Sequence, residues 1–339
     1  MLVLGIETSC DETGLALVED GRNLLGAQLA TSLPQHQRFG GVVPEIASRA
    51  HVELLTFELE ALLTSCRVSP GQIDRIAVTH GPGLSGCLLV GIAAAKALAL
   101  AWGRELTAVH HLHAHLYAAL MEHPEFPMDA PMIGLVISGG HTALIRMKGI
   151  RHFTLLGQTR DDAVGEAFDK VAKLLGLGFP GGPEIERAAR EGRPGAFRFT
   201  VPKIKSGSAY DFSLSGIKTA VLYRLRDETK GAAPGPELTA DMAASFQSSV
   251  VEEVVQKTVA ACEESRIDRL VVGGGVVANR LLRDRLTEVC AEKKIHLGVP
   301  SMKLCTDNGI MVAGLGHHLE PVRPEDLIVI PDLRVEAAA

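Results

Sequence analysis

The sequence predicts an α/β protein made of two similar halves, because one order of elements occurs twice along its 339 residues. Ile73–Val78 (IDRIAV) and Ile267–Val272 (IDRLVV) are nearly the same strand-like hexapeptide, 194 residues apart, and each runs into a glycine-containing turn. Upstream of each, an apolar strand opens a three-strand meander, at Met1–Thr8 and at Met132–Ile137. A repeated supersecondary unit in this order indicates a duplicated domain.

The first half reads as a meander, a helix, a strand, a second helix, a third strand and a histidine-rich helix. The hydrophobic pattern places these elements at Met1–Thr8, Leu15–Val18, Leu24–Ala30, Pro44–Cys66, Ile73–Val78, Leu84–Trp102, Leu106–Val109 and from Leu112 onward. Leu84–Trp102 is almost long enough for a membrane span of ~20 residues. It contains Lys96 and small-residue breaks, so we expect a buried helix and no membrane contact.

The second half repeats this order with an insertion. Its elements are predicted at Met132–Ile137, Ala143–Met147, Phe153–Leu156, Asp161–Leu175 (capped by Asp161 or Asp162), Ile267–Val272, from Asn279, and Ile295–Val299. The meanders are separated by about 130 residues and the hexapeptides by 194, so roughly 60 residues are inserted. We place them at 184–237, which predicts lobes at 1–130 and 131–330 and a tail at 331–339.

Charge and cysteine content narrow the class of protein. The net charge of −6 excludes a uniformly basic nucleic-acid surface but not a local basic patch. The six cysteines include no C-x-x-C pair, and Met1 runs directly into a strand without a secretory leader. We therefore expect reduced thiols and a cytoplasmic protein.

Four of the 13 histidines fall within Val109–His115. On a helix, His111 and His115 are four residues apart and share one face, which is half of a metal site. The duplication pairs Leu106–Val109 with Ile295–Val299, so Asp307 is expected at the equivalent strand end of the other lobe, facing the histidines across a cleft. The alternatives are a histidine-rich helix start with ordinary hydrogen bonds, and Asp307 as a simple helix N-cap.

Glycine- or hydroxyl-rich turns end the first strands of the halves. Ser9–Thr13, Ser138–Thr142 and Gly273–Gly275 can each present backbone N–H groups to an anion, although none fits a Walker or G-x-G-x-x-G pattern. Convergence of three such turns favours a nucleotide, whereas any one alone could be an ordinary turn. Asp169 could accept from a ribose or an ammonium group, or form a solvent-exposed pair with Lys173.

A basic stretch with interleaved aromatic residues lies in the insertion. It contains Arg187, Arg190, Arg193, Arg198, Lys203 and Lys205, together with Phe197 and Phe199. In an acidic protein such a stretch could contact RNA phosphates and bases, and a solvated loop is the alternative.

Taken together, these motifs resemble the TsaD family of bacterial tRNA N6-adenosine threonylcarbamoyltransferases, and the resemblance covers nearly the whole chain. It is carried by Gly5–Thr13, Gly41–Glu45, His80–Leu84, His110–His115, Ser138–Thr142, Gly165–Lys170, Pro180–Pro183, Asp211–Lys218, Gly273–Arg280 and Cys305–Gly309. It implies the actin/Hsp70/sugar-kinase fold, in agreement with the duplication. It also implies transfer of threonylcarbamoyl from threonylcarbamoyl-AMP to N6 of the adenosine 3′ of the anticodon in tRNAs reading ANN codons.

The same resemblance implies a set of site residues. The metal ligands would be His111, His115 and Asp307, and the substrate contacts would be Val136, Ile137, Ser138, Gly139, Gly140, Asp169, Gly182 and Asn279. Glu186 stands where many relatives have Asp, which leaves its role as a ribose acceptor open. His113 is a further departure, but its i+2 position points off the face shared by His111 and His115.

The resemblance implies one divalent metal ion, Fe²⁺ first and Zn²⁺ second, acting as a Lewis acid on the carbamoyl oxygen. The candidates for a general base toward the adenosine amine are Glu12, Asp11 and His141, without a ranking. The implied partners are tRNA, a paralogous actin-like protein and a small P-loop ATPase.

The sequence leaves three other functions open. A sugar or acetate kinase of the same fold usually carries an Asp-x-Gly first turn, where this chain has Glu7-Thr8-Ser9. A metallopeptidase would need a Glu after His111, where Leu112 stands. The last alternative is a non-catalytic nucleotide-switch scaffold.

Overall fold

The computed structural model describes residues 1–200 and 207–336. The first half contains β1 (Leu2–Glu7), β2 (Glu12–Glu19), β3 (Asn23–Thr31), α1 (Leu33–His36), α2 (Pro44–Cys66), β4 (Arg75–Gly81), α3 (Ser85–Trp102), β5 (Glu105–His110) and α4 (His111–Glu122). The second half contains β6 (Pro131–Ile137), β7 (Thr142–Lys148), β8 (Phe153–Gln158), α5 (Val164–Leu174), α6 (Gly181–Ala189), α7 (Ser215–Thr229), α8 (Pro236–Ser265), β9 (Arg269–Gly273), α9 (Arg280–Lys293), β10 (His296–Gly298), α10 (Met302–Cys305) and α11 (Gly309–Gly316).

Two five-stranded sheets repeat one topology. The first has the order β3-β2-β1-β4-β5 and the second β8-β7-β6-β9-β10, so each strand has a counterpart. β4 pairs in parallel with β1 (Ile6 opposite Val78), and β9 pairs in parallel with β6 (Leu135 opposite Val272). The fold is therefore the duplicated α/β fold that the repeated hexapeptide predicted.

The chain folds into two compact units that are discontinuous in sequence. One comprises Met1–Ala130, Lys148–Phe153 and the described chain from Pro300 onward, and the other comprises Pro131–Met147 and Thr154–Val299. The predicted lobes were continuous, at 1–130 and 131–330. The difference matters for function because it moves Asp307 into the same unit as His111 and His115.

Glycine contacts explain why α11 belongs to the first unit. A Cβ added at Gly5 of β1 would lie 2.2 Å from the backbone oxygen of Gly309, and one added at Gly309 would lie 2.6 Å from the backbone carbon of Leu15. Only residues without a side chain allow helix and sheet backbones to approach this closely. α11 is apolar all round and fully buried, which is typical of a helix packed on every side.

The helix α3 is predominantly apolar, but only one of its faces is buried. It is long and apolar enough to cross a membrane by length and composition. One face, including Ile92, Ala95 and Ala99, packs into the core of the first unit, which is usual for a core helix. The other face is exposed, with Leu89 at 59% and Leu100 at 83%, so the prediction of a wholly buried helix was wrong.

The N-terminus of α5 is capped differently from the prediction. Its N-cap is Ala163, and the carbonyls of Ser138 and Gly139 accept from the first amides of the helix. Asp161 instead caps the start of α7, accepting from the backbone N–H of Leu214 at 2.7 Å and from neighbouring hydroxyls. Asp162 pairs with Lys170 at 2.6 Å. A local sequence pattern identified the residue type of a cap but not the helix it serves.

Candidate metal centre and nucleotide-binding residues

His111, His115 and Asp307 converge in the first unit. His111 and His115 lie on the first turn and a half of α4, and Asp307 lies just before α11. One carboxylate oxygen of Asp307 is 3.0 Å from Nε2 of His115 and 3.6 Å from Nε2 of His111. The prediction that Asp307 faces the histidines from the opposite lobe was wrong. Close packing of Gly309 against Gly5 of β1 places the segment that contains Asp307 in the first unit.

The donor set fits a divalent metal ion. One possible ligand atom from each of the three residues lies within 4.8 Å of the other two. Both imidazoles are buried, and Nδ1 of His115 has no hydrogen-bond partner among the described residues. Two imidazole nitrogens and one carboxylate oxygen suit Fe²⁺ and Zn²⁺ and leave open coordination positions.

Asp307 is not a helix cap. The N-cap of α11 is Asn308, whose side-chain oxygen accepts from the backbone N–H of Met311 at 2.9 Å. Asn308 also donates to the carbonyl of Thr306 at 2.7 Å. The N-cap alternative considered for Asp307 is therefore wrong, and its carboxylate is left to face the two histidines.

Glu7, which sequence reasoning did not single out, supports His111 from behind. It is the last residue of β1 and is fully buried. One oxygen accepts from the backbone N–H of Ser9 at 2.6 Å, and the other accepts from the Thr79 hydroxyl at 2.5 Å and lies 3.2 Å from Nδ1 of His111. The available signal was a single carboxylate ending a strand predicted to be buried.

In the Glu7–His111 pair, mutual attraction shifts each pKa in the direction opposite to the effect of burial. Burial alone would lower the pKa of His111, but the charges of Asp307 and Glu7 raise it to about 9. Burial alone would raise the pKa of Glu7, but the charge and hydrogen bond of His111 lower it overall. The metal-free centre thus keeps Glu7 ionised and His111 protonated at neutral pH, so a metal ion must displace that proton.

Of the candidate bases, Asp11 and Glu12 lie in the same unit, at the start of β2. Burial, followed by the negative charges of Asp307 and Asp11, raises the pKa of Glu12 to about 10. In this arrangement Glu12 is protonated at neutral pH, so a general-base role would require a nearby positive charge. Burial also raises the pKa of the adjacent Cys10 thiol, which therefore stays protonated.

His110 and His113 form a separate cluster on the other side of α4. His113 stacks between His110 and Phe153, with ring centroids 3.8 and 3.5 Å apart. His113 donates to the carbonyl of Val335 at 2.8 Å, and His110 to that of Arg334 at 3.2 Å. The expectation that His113 points away from the metal face agrees with these contacts.

In the second unit, Ser138–Gly140 forms a turn after β6. Val136 and Ile137 are buried strand residues, so only their backbone could contact a ligand. A Cβ added at Gly139 or Gly140 would meet nothing within 4 Å among the described residues. His141, the third candidate base, belongs to this unit and donates its backbone N–H to the Ser138 hydroxyl at 3.1 Å.

Asp169 contacts the N-terminus of α6 at Gly181, the residue before Gly182. The Asp169 carboxylate accepts from the backbone N–H of Gly181 at 2.6 Å, so it is not a simple pair with Lys173. Its pKa is raised by burial, which exceeds the lowering effect of that hydrogen bond. A Cβ on Gly181 would lie 2.5 Å from Cα of Asp169, whereas one on Gly182 would meet no described atom within 4 Å. Gly181 is needed for packing, and Gly182 leaves free space at a helix start.

Asn279 and Glu186 are also brought together in this unit. Asn279 caps α9 through Leu282 N–H at 3.0 Å. Its amide donates to Gln247 at 2.9 Å and reaches Glu186 at 3.4 Å. Gln247 was missed by sequence reasoning because it lies in the middle of α8 without a motif.

The basic insertion is mostly neutralised where it is described. Arg187 pairs with Glu184, Arg190 lies 3.8 Å from Glu186, and Arg193 pairs with Asp241. Arg198 makes no ion pair with the described residues, while Lys203 and Lys205 lie outside them. The arginines of this stretch therefore resemble a solvated, salt-bridged surface more than a free phosphate-binding patch.

Comparison with solved structures defines the class of protein first. The chain is similar to HypF of T. kodakarensis, with a TM-score of 0.64 and 16% identity over 96% of this chain and 49% of that one. It is also similar to component A of the (R)-2-hydroxyglutaryl-CoA dehydratase of Acidaminococcus fermentans, with a TM-score of 0.54, 13% identity and 94% and 98% coverage. These likenesses give the actin-like fold.

Sequence comparison then gives the family. The family model described as TsaD, tRNA N6-adenosine threonylcarbamoyltransferase, matches residues 23–314. A protein of Staphylococcus aureus (strain JH9) with that name is 47% identical over 94% of this chain and 92% of its own length. The chain belongs to the TsaD family, as the motifs predicted.

Proposed function

We propose that this chain transfers the threonylcarbamoyl group from threonylcarbamoyl-AMP to N6 of the adenosine 3′ of the anticodon in tRNAs reading ANN codons. The observation that carries the proposal is the convergence of His111, His115 and Asp307 in a chain 47% identical to a named tRNA N6-adenosine threonylcarbamoyltransferase. The kinase alternative is not favoured by these relatives. The peptidase alternative lacks the carboxylate that its motif requires after His111.

The reaction is an acyl transfer to an amine. A bond forms between N6 and the carbamoyl carbon, the bond from that carbon to the phosphate oxygen breaks, and AMP leaves with the electron pair. The amine loses one proton, and exocyclic amines lose it late because they are weak nucleophiles. The chain therefore has to bind AMP, stabilise charge on the carbamoyl oxygen and accept a proton.

For the charge, we propose one divalent metal ion held by His111, His115 and Asp307. Fe²⁺ is the first choice and Zn²⁺ the second, since two imidazoles and a carboxylate suit either. When bound, such an ion supplies Lewis-acid polarisation of a carbonyl oxygen. The buried, preorganised ligands reduce the reorganisation that charge development would otherwise require.

For AMP, we propose the residues of the second unit. Free space beside Gly139, Gly140 and Gly182 allows close approach of a ligand to backbone N–H groups. Asp169 and Glu186 offer carboxylate oxygens to ribose hydroxyls, and Asn279 adds an amide. Val136, Ile137 and Ser138 would contribute through the backbone and the hydroxyl.

For the proton, Glu12, Asp11 and His141 remain the proposed bases. For Glu12, burial and nearby negative charge keep the carboxyl protonated unless a cation is close. Positive charge held between His111, His115 and Asp307 would lower the pKa of Glu12 and favour its ionised form, which can accept a proton. This coupling supports Glu12 as the base only in the metal-loaded protein.

The proposed partners are tRNA, a paralogous actin-like protein and a small P-loop ATPase, and the proposed compartment is the cytoplasm. The exposed face of α3 supports a protein partner: Leu89, Ala93 and Leu100 follow a helical spacing and are solvent-exposed. Changing Leu100 to Asp should weaken a complex with the paralogous protein while leaving folding intact. Arg198 is the described basic residue that supports tRNA contact by the insertion.

Mass analysis of tRNA nucleosides after depletion of this protein tests the proposed activity. Threonylcarbamoyladenosine should fall and should be restored by the wild-type chain and by Glu105→Gln, a change remote from the metal ligands. Asp307→Ala should not restore it. Unchanged threonylcarbamoyladenosine after depletion would contradict the transferase, and full rescue by Asp307→Ala would favour a non-catalytic scaffold.

A further inference from the structure

Glu7 is placed where it can act on the metal centre without touching a metal ion. It ends β1, next to Thr79 on the parallel neighbour β4 and behind the first residue of α4. Its side chain has no solvent exposure. A fully buried carboxylate is expensive unless it is paired and hydrogen-bonded, so its position calls for an explanation.

Its contacts place it behind His111 and not among the metal ligands. Oε1 accepts from the Ser9 backbone at 2.6 Å, and Oε2 accepts from Thr79 at 2.5 Å and faces Nδ1 of His111 at 3.2 Å. Both oxygens are therefore occupied by donors of the protein. Glu7 is also outside the group of residues whose ligand atoms converge.

The chemistry of an ionised carboxylate fixes the state of His111. A carboxylate only accepts hydrogen bonds, so the ring nitrogen facing it must carry a hydrogen. The Ser9 hydroxyl, also 3.2 Å from Nδ1, could donate or accept and could not impose this choice alone. With Nδ1 protonated, the lone pair of the neutral ring is on Nε2, the atom 3.6 Å from Asp307.

We infer that Glu7 is a positioning residue that holds the Nδ1–H of His111 and so presents Nε2 to the metal ion. The inference rests on the proposed metal site and adds a residue that the ligand set does not contain. Carboxylates behind metal-binding histidines fix the tautomer and ring orientation, and their loss typically weakens metal affinity 10- to 100-fold. Thr79 and the Ser9 backbone hold the Glu7 carboxylate in place in turn.

The first test uses the unaltered protein. Long-range ¹H–¹⁵N NMR spectra of the full chain loaded with Zn²⁺ report which ring nitrogen of His111 carries hydrogen. We expect Nδ1 protonated and Nε2 metal-bound. A metal-bound Nδ1, or a His111 ring that does not respond to Zn²⁺, would overturn the inference without the use of any Glu7 variant.

The second test measures Zn²⁺ affinity by competition with a chromophoric chelator. Glu7→Gln has nearly the same shape but can turn an NH₂ donor toward His111, so we expect a 10- to 100-fold loss of affinity and a mixed tautomer. Thr79→Val, which only loosens the carboxylate, should lose less. Glu105→Gln removes a carboxylate paired with Arg75 at the start of β5 and should leave the affinity unchanged.

His111→Ala distinguishes a wrong metal site from a wrong role for Glu7. If it loses Zn²⁺ binding while a folded Glu7→Gln binds normally with the wild-type tautomer, Glu7 has no positioning role although the metal site stands. If His111→Ala binds Zn²⁺ like the wild type, the metal site itself is wrong and the inference falls with it. If Glu7→Gln does not fold, Glu7→Asp and the wild-type NMR result decide.

Discussion

Two pairs of histidines lie within seven residues at the start of α4: His111 with His115, and His110 with His113. All four side chains are buried, yet the pKa values of His111 and His113 shift in opposite directions. His111 faces Glu7 and Asp307, and its pKa is raised to about 9 despite burial. His113 faces rings and a backbone carbonyl, and burial lowers its pKa to about 4. Burial is thus common to both, and the partners on each face decide which histidines can bind a metal ion.

The comparison separates a ligand face from a structural face on one helix. Asp307 supplies the ligand face with a carboxylate, and the segment Arg334–Val335 supplies the structural face with carbonyls. His110 also accepts from Leu112 N–H and so caps α4. Substitutions on the ligand face should therefore change metal affinity, and substitutions on the structural face should change folding stability.

The largest effect is expected from Asp307→Ala. It removes the only carboxylate in the described ligand group, so metal affinity should fall by more than the ~100-fold seen when supporting residues are lost. Equilibrium dialysis followed by metal analysis would measure the loss. His113→Phe, on the other face, should keep the wild-type affinity, and an equal loss in both variants would erase the distinction between the faces.

Metal affinity should next depend on pH through His111. In the metal-free protein His111 holds its proton up to about pH 9, and metal binding must release it. Affinity should therefore rise about tenfold per pH unit from pH 7 to 9 and then level off. Calorimetry in buffers of different ionisation enthalpy should count about one released proton at pH 7; no proton release would contradict the pairing with Asp307 and Glu7.

His113 should make folding stability depend on pH in the acidic range, below pH 6.5. Its pKa is lowered from 6.5 to about 4, so below pH 6.5 the unfolded chain binds more protons than the folded one. Stability should fall by about 1.4 kcal/mol per unit as pH drops from 6.5 to 4. Urea unfolding of His113→Phe, which keeps the stack, should show a flatter profile; an unchanged slope would assign the acid sensitivity elsewhere.

The sequence predicted the repeated units better than their assembly. The helix Pro44–Cys66 was predicted with its observed bounds, because Pro44 marks its start and apolar residues recur along it at helical spacing. The buried face differs from that periodic set, since Phe57 is 71% exposed and Leu55 and Leu59 are buried instead. The two sheets repeat one strand order, which agrees with the duplication that the hexapeptides predicted. Asp307 was assigned to the wrong unit, because the duplication says which elements correspond but not that Gly309 packs onto Gly5.

Long-range packing also hid the residues that support the candidate metal centre. His111 and His115 were found from an i, i+4 spacing, which is a local property. Glu7 and Ser9 reach His111 from β1 and the turn after it, and Thr79 on β4 donates to Glu7. No spacing in the sequence links these residues. Asp161 shows the converse, since a good capping residue serves a helix more than 50 residues away.

The smallest effect concerns two adjacent residues, Asp307 and Asn308. Asn308 caps α11, so Asn308→Ala should cost about 1 kcal/mol of unfolding free energy. Asp307→Ala removes no cap, but below about pH 9 it takes away a carboxylate that stabilises the buried, protonated His111. Above that pH His111 is neutral and the change only relieves negative charge beside Glu7 and Glu12, so it should leave stability unchanged or slightly raised. Chemical denaturation of the two metal-free variants above about pH 9 checks the contrast. If Asp307→Ala proved the more destabilising, Asp307 would have a structural role beyond the ligand role, and the separation of faces on α4 would not extend to α11.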